Sequence, residues 1–224
     1  MLSLDSRQLS VAAALFAAAL FATSAQATDA ASIARQGNGK GAAPCMACHG
    51  KDGGGQAVAG NPRLAGLNAT YLRKQLDDFA NGSRSSPVMQ ASANALDDSE
   101  RAAMALYYSK LPLPPALATP ATALPPANSI GAVLATRGAW SRGIPGCVQC
   151  HGPHGVGVGA HFPPLAGQPA AYIEMQLKAW QQGRRHNDPL QLMQRLSAGL
   201  SAQDIQAVAT WFAAQPLPAP ETAP

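Results

Sequence analysis

The residues best suited to chemistry form two short stretches in which paired cysteines are followed by a histidine. They are Cys45-Met46-Ala47-Cys48-His49 and Cys147-Val148-Gln149-Cys150-His151, and together they use all four cysteines of the 224-residue chain. Two thiols at this spacing lie on one turn of backbone, so both can add to the vinyl groups along one edge of a porphyrin. The pattern predicts two covalently attached c-type haems, held by Cys45, Cys48, Cys147 and Cys150, with His49 and His151 as axial ligands of the irons.

Three other uses of cysteine pairs compete with haem attachment. Zinc ribbons also use two pairs, but they place them about 15–20 residues apart, and these pairs are far more widely separated. A thioredoxin-like redox pair needs a strand before it and a helix after it, whereas Gly41-Ala42-Ala43-Pro44 precedes the first pair. Two structural disulfides would leave the histidine after each pair without a role. Duplication of the whole motif favours haem.

The first 27 residues have the features of a cleavable export signal. Arg7 lies in a short amino-terminal region, an apolar run covers residues 11–22, and Ala25-Gln26-Ala27 provides the small-x-small cleavage pattern. A membrane anchor is the alternative, but a span needs about 20 apolar residues and this run is shorter. We expect cleavage after Ala27 and a periplasmic location, where thioether bonds to haem would keep the cysteines from forming disulfides.

Composition narrows the classes of partner. Hydrophobic residues make up 47% of the chain, but much of this is alanine, so a buried haem would supply apolar surface that the side chains lack. The net charge is +4, without a cluster of lysines and arginines or the interleaving of basic and aromatic residues that marks a nucleic-acid site. We therefore predict no nucleic-acid partner.

The mature chain consists of two copies of one domain. Leu64-Ala65-Gly66 recurs as Leu165-Ala166-Gly167, and the same register pairs Tyr71 with Tyr172, Gln75 with Gln176, Arg84 with Arg185 and Met89 with Met193. A repeat of about 100 residues is a duplicated domain rather than a solenoid unit. We predict domains at residues 28–111 and 129–215, a semi-rigid proline-rich linker at 112–128 and a loose tail at 216–224.

Within each copy, apolar residues recur at helical spacing and no segment alternates as a strand, so the fold class predicted is all-α. Three helices are expected per copy: one around Ile33 or Ile130, one from Thr70 to Gly82 or Ala170 to Gly183, and one opening with Asp97-x-x-Glu100 or Ser201-x-x-Asp204. Both opening patterns are typical of capping boxes. Met104 and Met175 fall inside these helices and are expected in the core.

This arrangement resembles the class I cytochrome c fold, with an N-terminal helix, the haem motif, loops around the haem and a crossing C-terminal helix. The duplication, the repeated Leu-Ala-Gly and the paired Gly-x-Arg at Arg84 and Arg185 make the chain similar to the dihaem cytochrome c4 family. The resemblance covers nearly all of the mature chain. It implies two tandem class I cytochrome c domains, each wrapped around a covalently attached haem.

The resemblance also implies which residues complete each haem site. Met89 and Met193 match the position of the distal axial ligand, although ordinary core or loop methionines are the alternative. His186 could displace Met193. Arg84 and Arg185 are placed to pair with haem propionates. Tyr71 and Tyr172 are placed to donate a hydroxyl to a propionate or across the domain interface.

The loops behind the two haems differ between the copies. By the same resemblance, Pro62 and Pro163 support the carbonyl that receives the N–H of the axial histidine. Asn61-Pro62-Arg63 in the first copy corresponds to Phe162-Pro163-Pro164 in the second, so the two haem edges should differ in polarity. We therefore expect unequal haem potentials.

The family implies a periplasmic electron carrier with no small-molecule substrate, since His/Met coordination closes both irons. Its partners would be membrane respiratory complexes, such as a cytochrome bc donor and a haem–copper oxidase acceptor, or other redox proteins. Loose association with the membrane surface stays open. The alternatives are a dihaem electron-transfer subunit of a dehydrogenase that oxidises a sulfur compound or an alcohol, and a dihaem peroxidase.

Overall fold

A computed structural model of the chain describes residues 29–114 and 124–217. The expected export signal at 1–27, residues 115–123 of the expected linker and residues 218–224 of the expected tail lie outside the described residues. Within these ranges, no helix is long and apolar enough to cross a membrane.

The first copy contains five helices within the described part of the chain. They are α1 (Ala30–Gln36), α2 (Met46–His49), α3 (Ala69–Ala80), α4 (Pro87–Ala95) and α5 (Asp98–Lys110). Helix α5 packs against α1 and α3, and their contact encloses a core of buried apolar side chains that includes Leu72, Met104 and Tyr108. The predicted core position of Met104 is confirmed, since it is 2% exposed.

The second copy repeats this order. Its helices are α6 (Ile130–Thr136), α7 (Val148–His151), α8 (Ala170–Gln181), α9 (Leu192–Ala198) and α10 (Ala202–Ala213). A two-residue antiparallel pair, β1 (Gly138–Ala139) and β2 (Ile144–Pro145), lies between α6 and α7. The sequence did not predict this pair, because strands of two residues are too short to alternate. The all-α fold class is confirmed.

Helices α6 and α10 cross closely because a glycine lies at their contact. A Cβ on Gly131 would lie 2.2 Å from the carbonyl oxygen of Ala207, which is well inside van der Waals contact. The absence of a side chain at this one position therefore lets the two helices approach backbone to backbone. Their contact seals the core around Ile205 and Phe212, each 1% exposed.

Both predicted capping boxes are present. The Asp97 side chain accepts from the backbone N–H of Glu100, and the Glu100 side chain accepts from the N–H of Asp97. Ser201 and Asp204 exchange the same pair of bonds at the start of α10. These reciprocal bonds satisfy N–H groups that the first turn of a helix leaves without partners, and they fix where the last helix of each copy begins.

Helices α4 and α9 were not predicted from the sequence. Helix α4 begins at Pro87 after Ser86, whose side chain caps it, a combination of cap and N1 proline that favours a helix start. Helix α9 follows Leu190 and Gln191, two consecutive left-handed residues with φ of 63° and 55°. These two residues are the extra length that the second copy carries before its methionine.

The two copies meet along a short antiparallel backbone contact. The N–H of Ser85 donates to the Arg184 carbonyl at 2.8 Å, and the N–H of His186 donates to the Ser83 carbonyl at 3.0 Å. This reciprocal pairing places Arg84 and Arg185, the paired arginines of the repeat, directly opposite each other.

Candidate haem-binding sites

The first haem motif forms one short helical turn that ends in a buried histidine. His49 is 7% exposed, and its Nδ1 lies 2.9 Å from the carbonyl oxygen of Pro62. Because a carbonyl only accepts, Nδ1 carries the proton and donates, which leaves Nε2 with a free lone pair for a metal. Burial lowers the pKa of His49, which keeps the imidazole neutral, as metal binding requires.

The second motif repeats this geometry. His151 is 7% exposed, and its Nδ1 donates to the Pro163 carbonyl at 2.8 Å. Burial also lowers the pKa of this histidine. In both copies the carbonyl belongs to the proline, Pro62 or Pro163, for which the family resemblance implied this role. The two imidazoles are therefore oriented alike, each with Nε2 available.

The thiols of both motifs are free, with none of the four cysteines in a disulfide. Cys45 and Cys147 are partly buried beside their domain cores, and burial raises the pKa of both, that of Cys147 to about 11. Within residues 29–114 and 124–217, no three His, Cys, Asp or Glu side chains cluster in a way that could hold a metal ion.

A cavity of about 500 Å³ lies in front of the second motif. Cys147, Cys150 and His151 line it, and Met193 on α9 lines it as well. Its lining is largely apolar and aromatic, as is usual for a cofactor pocket, and its volume falls in the range of about 300–1,000 Å³ typical of such sites. These residues fit a haem that is attached through the two thiols.

Met89 and Met193 both lie in the first turn of corresponding helices, α4 and α9. Each side chain is partly buried. The backbone N–H of Met89 donates to the Ser86 hydroxyl at 3.5 Å, and that of Met193 donates to the Asp188 carboxylate at 2.6 Å. Ser86 is the capping residue of α4, whereas Asp188 lies before the two left-handed residues and accepts from the N–H groups of Met193 and, at 3.2 Å, Gln194 in the first turn of α9. The structure brings Met193 to the same cavity as His151.

The paired arginines lie at the domain interface. Arg84 donates to Gln75 at 2.8 Å in its own domain, and to the Tyr172 hydroxyl at 2.8 Å and Gln176 at 2.7 Å in the other. Arg185 makes the equivalent pair of glutamine bonds, to Gln176 at 2.8 Å in its own domain and across the interface to Gln75 at 3.2 Å. The repeat thus places equivalent side chains in one shared network that the sequence alone did not reveal.

The network carries positive charge that the described protein groups do not neutralise directly. Arg84 and Arg185 are 5% and 8% exposed, and neither forms an ion pair within the described ranges. Each guanidinium stacks on an aromatic ring instead, Arg84 on Phe79 at 4.5 Å and Arg185 on Trp180 at 4.4 Å. Buried charges that have hydrogen-bond partners but no counter-ion remain costly, so this interface is suited to receive anionic groups.

Arg63 and Gln168 form a second interface contact that sequence reasoning missed. The backbone N–H of Arg63 donates to Gln168 Oε1 at 3.0 Å, and Gln168 Nε2 donates to the Arg63 carbonyl at 3.0 Å. The Arg63 guanidinium donates to the carbonyl of Ala65 at 2.6 Å and to that of Ala166 at 3.2 Å. Burial lowers the pKa of Arg63 to about 10, so it remains charged at neutral pH. The available signal was the mismatch of Arg63 with Pro164 in the repeat.

One sequence prediction about the methionines is wrong. Met175 lies on α8, as expected, but its side chain is 46% exposed rather than buried in the core. A Cβ on Gly60 of the first domain would lie 2.8 Å from its terminal methyl. Met175 therefore packs over the edge of the neighbouring domain, where helical periodicity within one copy gives no information.

Comparison with known proteins agrees with the two-domain architecture. The family model for cytochrome c matches residues 36–112 and again 136–214. A thiosulfate dehydrogenase electron acceptor of Stutzerimonas stutzeri is 52% identical over 188 residues, which cover 84% of this chain and 86% of the relative. Cytochrome c4 of Pseudomonas aeruginosa is 37% identical over 82% of this chain and 89% of its own.

Solved structures show the same fold. Thiosulfate dehydrogenase of Marichromatium purpuratum aligns with a TM-score of 0.75 at 40% identity, covering 87% of this chain and 43% of that longer chain. Reduced recombinant cytochrome c4 of Pseudomonas stutzeri aligns with a TM-score of 0.66 at 35% identity, covering 76% and 93%. The two tandem domains, together with relatives that are electron acceptors and cytochromes c4, make this chain a dihaem electron carrier. The chain belongs to the cytochrome c family, within its dihaem cytochrome c4 group, and its two Cys-x-x-Cys-His motifs fit two covalently bound c-type haems.

Proposed function

We propose that this chain accepts electrons from a periplasmic thiosulfate-oxidising enzyme and passes them to the respiratory chain, with neither domain acting as an enzyme. The similarity to proteins named thiosulfate dehydrogenase electron acceptor, at 52% and 50% identity, favours this donor over the cytochrome bc complex that the family resemblance implied. A thiosulfate dehydrogenase whose single chain includes a region similar to this one points the same way.

The observation that carries the relay of electrons through this chain is the joining of two equivalent haem sites by one hydrogen-bonded interface. His49 and His151 are each fixed by a proline carbonyl, and Arg84 and Arg185 of the two domains share the partners Gln75 and Gln176. A rigid interface holds two redox centres at a constant separation. Such an arrangement suits transfer of electrons from one domain to the other.

Met89 and Met193 are proposed as the distal ligands of the two irons. The haem supplies one-electron redox chemistry, and a thioether ligand raises its reduction potential while closing the iron to small molecules. The shared cavity of His151 and Met193 supports this assignment in the second domain, and the equivalent helix position of Met89 supports it in the first. With both positions filled, a peroxidase would lack an open iron.

Arg84, Arg185, Tyr71 and Tyr172 are proposed to contact haem propionates. The support is the burial of two guanidinium groups without an ion pair among the described residues, next to the Tyr172 hydroxyl. The planar fork of arginine matches a carboxylate in two parallel hydrogen bonds. Propionates at the interface would neutralise this charge and would also tie the two domains together.

The location of the protein is proposed to be the periplasm, after removal of residues 1–27. The amino-terminal sequence pattern supports this, and covalent haem attachment would protect the thiols there. Residues 28–111 and 129–215 are the proposed domain limits. Amino-terminal sequencing of the mature protein tests the cleavage, and a start at any residue other than Thr28 would contradict the assigned site.

The donor is tested by mixing the oxidised holoprotein with purified thiosulfate dehydrogenase and thiosulfate while absorbance follows haem reduction. We expect rapid reduction of both haems, and none when either the enzyme or thiosulfate is omitted. A cytochrome bc complex supplied with quinol serves as the competing donor. Fast reduction by the bc complex with no reduction by the dehydrogenase would refute the proposed donor and leave the dihaem carrier intact.

The ligands are tested by replacing each methionine with alanine and recording the near-infrared absorption band between methionine sulfur and ferric iron. We expect Met89→Ala and Met193→Ala each to remove about half of the band. Met104→Ala, a change in the buried core, serves as the control that should leave it intact. A band unchanged in both ligand variants would show that the ligand assignment is wrong.

A further inference from the structure

The hydroxyl of Ser197 lies at the haem cavity of the second domain without a hydrogen-bond partner. Ser197 is 0% exposed, it lines the same cavity as His151 and Met193, and its Oγ makes no hydrogen bond to another described residue. Buried hydroxyl groups are nearly always paired, so one without a partner calls for an explanation. A group that comes within reach of the hydroxyl only when haem is bound would supply it.

The position of Ser197 on α9 directs its side chain toward Met193. The two residues lie four positions apart, so they share one face of the helix. Because each Cα–Cβ bond in a helix tilts toward the N-terminus, the Ser197 side chain lies over the turn that carries Met193. The backbone of Ser197 is itself fixed, since its carbonyl accepts from Gln181 Nε2 on α8 at 2.7 Å.

The first domain lacks this hydroxyl. The register that pairs Met89 with Met193 pairs Ala93 with Ser197. Ala93 is also 0% exposed and lies four residues after its methionine on α4. At this position, four residues after the methionine, one buried hydroxyl group therefore distinguishes the two helices.

We propose that Ser197 is a positioning residue that donates a hydrogen bond to the thioether sulfur of Met193 and thereby raises the reduction potential of the second haem. A thioether sulfur accepts weakly, and no polar group of the described chain, the Met193 sulfur included, engages the Ser197 hydroxyl before haem is bound. Turning of the Met193 thioether to the iron would bring its sulfur within reach of this hydroxyl. The positive end of the O–H dipole then faces the ligand, which disfavours the ferric state because that state carries the extra positive charge. The inference rests on the proposed ligation by Met193.

The paired positions provide a reciprocal test. Ser197→Ala should lower the potential of the second haem alone, and Ala93→Ser should raise that of the first alone. A neutral hydrogen bond is worth about threefold to tenfold in an equilibrium constant, and we expect the lower end. A threefold change in the equilibrium constant for electron exchange between the haems corresponds to a change of about 28 mV in the difference between their reduction potentials, at 59 mV per tenfold for one electron.

Both variants are small exchanges between serine and alanine in a helix, and the unaltered haem in each serves as an internal control. Potentials are measured by spectroelectrochemical titration, together with the energy of the absorption band between methionine sulfur and ferric iron. We expect Ser197→Ala to shift both the potential of the second haem and the energy of its absorption band. The double variant, Ser197→Ala with Ala93→Ser, should change the equilibrium constant for electron exchange between the haems about ninefold, since the two sites lie in different domains and their effects add.

The outcomes separate this inference from the ligand assignment. If Met193→Ala removes its half of the band but Ser197→Ala changes neither potential nor band, the hydrogen bond does not exist and Met193 remains a ligand. If the potential shifts and the band does not, the Ser197 hydroxyl donates its hydrogen bond to a group other than the Met193 sulfur, and the inference is overturned. A band that survives Met193→Ala would overturn the ligand assignment and this inference together.

Discussion

Gln168 joins the two domains through the backbone of Arg63, and its replacement by leucine tests how much this contact stabilises the assembly. The side chain exchanges two hydrogen bonds of 3.0 Å each with the N–H and C=O of Arg63. The repeat supplies the replacement, because Leu67 occupies the equivalent position in the first copy. Gln168→Leu keeps a side chain of similar size while removing both bonds.

The expected loss in free energy of unfolding follows from the N–H and C=O of Arg63, which Gln168→Leu leaves without hydrogen-bond partners. Gln168 and Arg63 are 3% and 1% exposed, so water does not replace the lost bonds. Each buried group left unsatisfied costs about 1–3 kcal/mol, and the added apolar burial of leucine returns about 1 kcal/mol. The net loss in free energy of unfolding is therefore about 3 kcal/mol.

The assay is urea unfolding of the holoprotein followed by two signals. All three tryptophans (Trp140, Trp180 and Trp211) lie in the second domain, so fluorescence reports that domain, whereas haem absorbance reports both. We expect the two transitions to separate in Gln168→Leu, because the domains lose a shared contact. Gln206→Leu, the same chemical change on an exposed face, should alter stability by less than about 0.5 kcal/mol. A loss below about 1 kcal/mol with coincident transitions would refute the reasoning.

Three further changes probe the second domain. Gly131→Ala should lower the free energy of unfolding, measured by urea titration, by about 1–3 kcal/mol or more, because the new Cβ would lie 2.2 Å from the Ala207 carbonyl oxygen. An unchanged stability would show that α6 and α10 can separate freely. Ser201→Ala should lower the free energy of unfolding by about 1 kcal/mol, because it removes the N-cap of α10. Ser201→Asp should keep most of the stabilisation that the cap provides, measured in the same assay. A hydrogen bond from Arg142 lowers the pKa of Asp204, so the carboxylate stabilises the fold above its ordinary pKa near 3.9, and this contribution is lost as pH falls below that value. Asp204→Asn should therefore flatten the acid side of the stability profile, and an unaltered slope between pH 5 and pH 3 would contradict the role of this pair.

The covalent haem chemistry was readable from the sequence because its residues are contiguous. Attachment needs two thiols and a histidine within five positions, and no folding is required to recognise that spacing. The repeat then identified Met89 and Met193 as counterparts. The capping boxes at Asp97 and Ser201 were equally local, and they predicted where the last helix of each domain begins.

The relation between the two domains was decided by tertiary structure. Arg84 and Arg185 were recognised as equivalent, but only the folded chain shows that they face each other and share hydrogen-bond partners. Arg63 and Gln168 bond to each other although 105 positions separate them in the chain. Contacts between copies leave no periodic signal within either copy, so sequence patterns cannot report them.

What the sequence determined by itself is the number of haems, the residues that attach them and the duplication that makes this chain a dihaem protein. Only the fold decided that Met175 lies at a domain edge, that Arg63 is buried, and that Ser197 turns a hydroxyl toward a cavity where Ala93 has none. The physical reason is that covalent chemistry depends on residue identity and spacing. Burial, charge neutralisation and domain contact depend on which surfaces the folded chain brings together.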